Sequence, residues 1–219
     1  MDPDGMAPEG PDRYGPHPDK QKEKEKWSNI FKGLLKINKD FQDKKDLKIA
    51  DLKKQEEEKK NSTPWMDTAV TKLGTKEKTN KYDGEDVEMF LKTTGLGKGN
   101  AWCGAFVNWV FKENNIDRVK GKGLHPARAL SYRSYGETLE EPAFGAIATK
   151  KRKGGGHVGF VAGQTSEGKI VLLGGNQNHS VNYTAYPKNK LKFNYPSGYT
   201  PNYVLPVVNI TQKGKVTEN

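Results

Sequence analysis

The chain has 219 residues, 33% of them hydrophobic, with 37 Lys and Arg against 27 Asp and Glu and one cysteine; its mean hydropathy is -0.90. That length suits a single core of about 100 to 150 residues with something attached, and no run approaches the roughly 20 apolar residues of a membrane span. The lone Cys103 excludes an internal disulfide, so stability must come from packing, and any chemistry at the sulfur involves a free thiol.

The net charge of +10 is unevenly spread: residues 1–60 hold 15 basic and 14 acidic side chains, which leaves +9 on the remainder. The block Lys150, Lys151, Arg152, Lys153 reads as solvated surface. Without interleaved aromatics or a reading helix, no nucleic-acid partner is expected, and no membrane insertion either. The opening MDPDGMAPEG lacks a charged start, an apolar stretch and a small-residue cleavage site, so no cleaved signal peptide is expected there.

In chain order, residues 1–19 are rich in Pro and Gly and read as a flexible leader. From Lys20 to Lys60, Lys and Glu surround Trp27, Ile30, Phe31, Leu34 and Phe41, whose spacing predicts an amphipathic helix or linker. The globular domain is expected over 61–219. Asn61, Ser62 and Thr63 before Pro64 start a helix through Trp65, Ala69, Val70 and Leu73 that stops at Gly74. GEDVEMFLKTT predicts a second helix ending at Gly95. AWCGAFVNWVFKEN predicts a third, with Asn100 as its N-cap, and PARALSYRS a fourth. FGAIAT, HVGFVAG and KIVLLGG then read as neighbouring antiparallel strands, the last two joined by a GQTSEGK hairpin. Phe193 to Val208 is expected to supply an edge strand and a covering loop. Helices first and strands afterwards make this an α+β domain.

Cys103 falls in the first turn of its predicted helix, where unpaired N–H groups and the helix dipole favour a thiolate and can hold an oxyanion. A buried structural cysteine fits that position equally well. A nucleophile also needs a base. His17 lies in the leader, His125 precedes Pro126 at a helix start where a capping role suits it, and His179 follows a Gly-Asn turn as second choice. His157 opens HVGFVAG behind three glycines and is the preferred base. Asn176, at the end of the next strand, is placed to orient the imidazole, with Gln177 as the adjacent alternative; a plain turn residue is the competing reading of Asn176. One Cys and scattered His give no zinc spacing, and GLGKGN lacks the strand and spacing of a phosphate loop, so neither metal nor cofactor is expected.

PWMDTAVTKLGTKE, AWCGAFVNWVFKENNI, GAIATKKRKGGGHVGFVAG and VLLGGNQNHSVN, in this order, resemble the papain-like CHAP and NlpC-type amidase/peptidase domains of bacterial and phage cell-wall hydrolases, over roughly residues 64–196. The resemblance implies a papain-like fold with Cys103 as nucleophile, His157 as general base and Asn176 as orienting residue. Trp102, Gly156 and Gln177 beside them are expected to contact substrate, and Glu77 in LGTKE to serve the site wall or the structure. Thr149 to Lys153 depart from the pattern, which would place a more apolar strand end before the glycines. MDPDGM is similar to the end of the Rhs repeat core of bacterial polymorphic toxins. Together these imply an antibacterial cysteine hydrolase of the peptidoglycan peptide, exported as part of a larger protein and acting in the periplasm or cell wall of a target bacterium. A secretion-system carrier and a cognate immunity protein would be its partners. A protease or deamidase toxin acting on a cytosolic protein is the alternative, and a non-enzymatic binding module a third.

Overall fold

The computed structural model describes residues 18–210 and the short strand at 216–217. The expected leader, MDPDGM included, lies outside the described residues up to position 17, and Pro18 and Asp19 already belong to the first helix. The chain divides into two compact units, residues 1–56 and 57–219.

In the first unit α1 (Pro18–Asn61) is one uninterrupted helix of 44 residues that runs on into the second. Lys, Glu and Gln are good helix formers, and no Pro or Gly pair interrupts them. Among the described residues of its unit the helix has nothing to bury apolar side chains against, and Trp27, Phe31, Leu34 and Phe41 are exposed along it.

The second unit is a helical layer against a sheet. Its helices are α2 (Pro64–Val70), α3 (Glu85–Lys92) and α4 (Cys103–Glu113), followed by a 3-10 turn at Ala129–Ser134. The strands are β1 (Glu137–Leu139), β2 (Ile147–Arg152), β3 (Gly155–Gln164), β4 (Ile170–Gln177), β5 (Ser180–Tyr186) and β6 (Leu191–Tyr195), with a separate pair β7 (Asn209–Ile210) and β8 (Val216–Thr217). The six-stranded sheet has the order β1-β6-β2-β3-β4-β5 and is antiparallel throughout. The architecture is therefore α+β, as the run of helices followed by strands predicts.

Three expectations change. The fourth helix is the 3-10 turn alone. The strand from Phe193 is not an edge: β6 lies between β1 and β2, a non-local pairing that no local pattern encodes. Strand β2 continues past Thr149 through Lys150, Lys151 and Arg152, because its pairing with β3 satisfies the backbone there whatever the side chains are.

Every residue of α4 from Cys103 to Phe111 is buried, as expected of a helix covered on all sides. On one side Phe106 and Phe111 meet Phe160 of β3 edge-on, with ring centroids 6.4 and 5.5 Å apart. On another, Phe90 of α3 stacks on Trp102 at 5.9 Å and tilts against Trp109 at 5.1 Å. Trp65 of α2 packs edge-on against Phe111 and Tyr195 and donates its indole N–H to the Gly145 carbonyl at 2.8 Å.

Two glycines set how closely this helix start is approached. At Gly104 a Cβ would stand 2.4 Å from the Ala127 carbonyl oxygen, so the 126–127 backbone lies directly on the helix start. Gly175 of β4 would place a Cβ 2.6 Å from Trp102 and 2.7 Å from the Phe106 Cβ, and both of those side chains are fully buried. Gly175→Ala is accordingly expected to destabilise the unit by about 1–3 kcal/mol through overpacking, seen as a lower urea midpoint with an unchanged slope.

Candidate active site

Cys103 is the first residue of α4, and the N-cap is Trp102, which makes no side-chain cap. The Trp102 carbonyl instead accepts the first bond of the helix, from the Phe106 N–H at 2.8 Å. Asn100, the expected cap, turns away and donates to the Gly97 carbonyl at 2.9 Å. The Cys103 side chain is buried, and the backbone N–H of Val158, the residue after His157, lies near enough to favour its thiolate. Helix start and strand start thus meet at the sulfur.

His157 is buried on β3, with its Nε2 3.0 Å from Oε1 of Gln177. The other end of the Gln177 amide fixes which atom faces the ring. Its Nε2 lies 2.6 Å from the Asn182 carbonyl oxygen, with those of Leu172 and Gly174 at 3.2 and 3.3 Å, and donates to this set of acceptors. Oε1 must then be the acceptor, and it takes a second bond from the Tyr186 hydroxyl at 3.1 Å. The proton of neutral His157 is therefore on Nε2, and the lone pair is on Nδ1.

Asn176 is not the partner. Continuing the β3–β4 register from Phe160↔Leu173 would set Asn176 opposite His157, but Asn176 takes the left-handed conformation at φ 57°. The resulting bulge shifts β4 by one residue against β5 between Gly174 and Gln177 and turns Gln177 inward. The ring contact expected of Asn176 is made by its neighbour Gln177, the adjacent alternative.

Residues 95–176 match the CHAP domain family. The match runs from just after α3 through Cys103 and His157 and ends at Asn176, one residue short of Gln177. It points to amidase or peptidase hydrolysis of peptidoglycan. No curated protein and no solved structure matches the chain.

Around this CHAP match the electrostatics run against the thiolate expected from the helix start. Burial pushes the Cys103 thiol up, and the Val158 N–H, the Arg152 charge and the first N–H groups of α4 offset only part of that. Burial likewise pushes His157 down to about 4, aided by the charges of Arg152 and Lys150 and opposed by the Gln177 bond. Both shifts favour the neutral forms, thiol for Cys103 and imidazole for His157.

Glu77 supports the site from below. Its side chain is fully buried, with Oε1 accepting from the Trp102 indole N–H at 2.8 Å and Oε2 from the Tyr82 backbone N–H at 3.0 Å. Oε2 also meets His179 Nδ1 at 3.0 Å. Burial raises the carboxyl, but the hydrogen bonds of Trp102, Tyr82 and His179 outweigh it and hold Glu77 below its ordinary value. His179 is thereby engaged away from the thiol, while His125 accepts the Ala127 N–H at its Nδ1, a local turn contact.

Of the expected substrate contacts, Trp102 and Gln177 are buried and Gly156 is half-buried. Trp102 is fully buried, Gln177 is spent on His157, and a Cβ at Gly156 would meet the Leu130 side chain at 2.7 Å. Sequence reasoning missed Tyr186, whose ring lies 5.8 Å from that of His157. Two clefts of about 520 and 610 Å3 open elsewhere, and neither Cys103 nor His157 lines them. Among the described residues no group of His, Cys, Asp and Glu could hold a metal, and no helix is long and apolar enough to cross a membrane.

The low His157 value makes stability depend on acid. An unfolded imidazole binds its proton near 6.5, the folded one only near 4, so stability is complete above about pH 6.5 and falls as pH drops toward about 4. Glu77, held below its ordinary value, adds a loss in the same direction at lower pH. Urea melts from about pH 7.5 to about pH 4 check this. His157→Gln, which cannot charge, should flatten the fall across that window.

Proposed function

We propose that the second unit is a cysteine hydrolase that cleaves an amide bond of the peptidoglycan stem peptide through a thioester acyl-enzyme. Cys103 is the nucleophile, His157 the general base and then acid, and Gln177 the residue that orients the ring. The observation that carries this reading is the fixed Gln177 amide, which holds the buried His157 at Nε2 and leaves the ring's lone pair on Nδ1.

Because thiol and imidazole both start neutral, attack and proton transfer run together. The Sγ proton passes to Nδ1 as the C–S bond forms, and the uncapped N–H groups at the start of α4 receive the oxyanion. The imidazolium returns that proton to the leaving amine as the C–N bond breaks. Water, deprotonated at Nδ1, then attacks the thioester, and the thiol recovers its proton. Through both halves Gln177 Oε1 accepts from Nε2–H and keeps the ring from flipping.

The similarity of MDPDGM to the end of an Rhs core supports placing this enzyme in a polymorphic toxin that acts in the periplasm of a target bacterium. Its partners would be an exporting carrier and a cognate immunity protein.

Mass spectrometry of purified peptidoglycan digested by the full chain tests the chemistry. New muropeptides are expected from the wild type, none from Cys103→Ala, and a rate lower by about 10² to 10⁴-fold from His157→Ala; untouched peptidoglycan overturns the reading. Toxicity on expression should require delivery to the periplasm. Toxicity confined to the cytosol would favour a cytosolic protein substrate instead.

A further inference from the structure

We propose that Lys150 and Arg152 form a cationic subsite beside the thiol that takes a free carboxylate of the substrate peptide, within one or two residues of the amide being cleaved. The inference rests on the hydrolase reading above and names its substrate class.

The run from Lys150 to Lys153 is not a uniformly solvated patch. Lys150 pairs directly with His157 across β2 and β3, and Arg152 with Gly155, so both side chains share the face of His157 while Lys151 points to the other. Lys150 is half-buried, and its ammonium lies 4.7 Å from the centroid of the Tyr186 ring. That is the same Tyr186 whose hydroxyl donates to Gln177 Oε1. One cation is therefore built into the side chains that hold the base, and the second stands about 7 Å further along the strand. An extended peptide covers that span in about two residues.

Among the described residues, no Asp or Glu pairs with any of the four cations. The ion pairs Lys72–Asp86, Lys120–Asp117, His179–Glu77 and Lys188–Glu141 include none of them. Their charge also works against the base, since Arg152 and Lys150 both depress His157. A substrate carboxylate bound there would cancel that field and return basicity to the imidazole as the peptide arrives. The guanidinium fork of Arg152 suits a carboxylate through two parallel N–H···O bonds.

Calorimetric titration of the full chain carrying Cys103→Ala tests this with a stem tetrapeptide in two forms, one with free carboxylates and one with its internal carboxylates amidated. The free form should bind at least about tenfold more tightly, the scale of one hydrogen bond to a charged group. Adding Arg152→Gln or Lys150→Gln should bring the two affinities together, and Lys151→Gln should leave the difference intact. Equal affinities in the parent, no binding of either form, or a uniform loss for both peptides in Arg152→Gln would each overturn the subsite. Parallel digestion by the wild type separates the two readings. Cleavage of both peptides without discrimination leaves the hydrolase standing and removes the subsite, whereas discrimination in binding without any cleavage does the reverse.

Discussion

The side-chain amide of Gln177 is the constraint on which the site depends. An amide can rotate end for end, and either orientation would offer His157 a partner. Only the acceptor orientation leaves Nδ1 free of a proton. Backbone carbonyls around its nitrogen, Asn182 foremost, remove that freedom, since a flipped amide would set its oxygen against carbonyl oxygens. The specification therefore comes from main chain, and the left-handed turn at Asn176 is what delivers the side chain into that cage. Asn tolerates this conformation better than most residues, which gives position 176 a structural use distinct from the one its sequence neighbourhood implies.

Glu77 joins the two halves of the site mechanically. Its backbone N–H donates to the His179 carbonyl at 3.0 Å, the Gly74 N–H donates to the Val181 carbonyl at 3.0 Å, and the Val181 N–H donates back to the Thr75 carbonyl at 2.8 Å. The β4–β5 turn, with Asn178 and His179 both at positive φ, is thus tied to the loop that carries Glu77. The same carboxylate holds the Trp102 indole, and Trp102 is the residue before Cys103. A displacement of the hairpin that carries Gln177 would accordingly be felt at the residue before the nucleophile. Gly175 closes the circuit by letting β4 lie directly on the Trp102 ring.

The sequence discloses those parts of this arrangement that follow from local pattern. The apolar periodicity of α4, with Cys103 at its start, and the strand opening at His157 are both readable because one element's spacing decides them. The parts that escape are products of pairing. Gln177 rather than Asn176 faces the ring because of a one-residue bulge, and a shift of one residue exchanges the faces of a strand. The central place of β6 comes from non-local hydrogen bonds. Asn100 looks like a cap by type, yet it bonds back to Gly97, and the helix begins on Trp102 without a side-chain cap. The thiol's shift is not legible for a different reason: the helix start acts on a charge, but burial weighs against that charge forming at all.

That last balance bears on how the site would work. A buried thiol held neutral is a poor ground-state nucleophile, because the reactive thiolate is scarce. Reactivity then has to be brought by what binds. Arg152 and Lys150 both depress His157, so under the proposed mechanism an arriving anion would weaken that effect and restore the base. A pair of cations with no carboxylate partner among the described residues carries a cost next to a base. Its persistence beside the Tyr186–Gln177–His157 chain makes sense if the negative charge that offsets it belongs to the substrate.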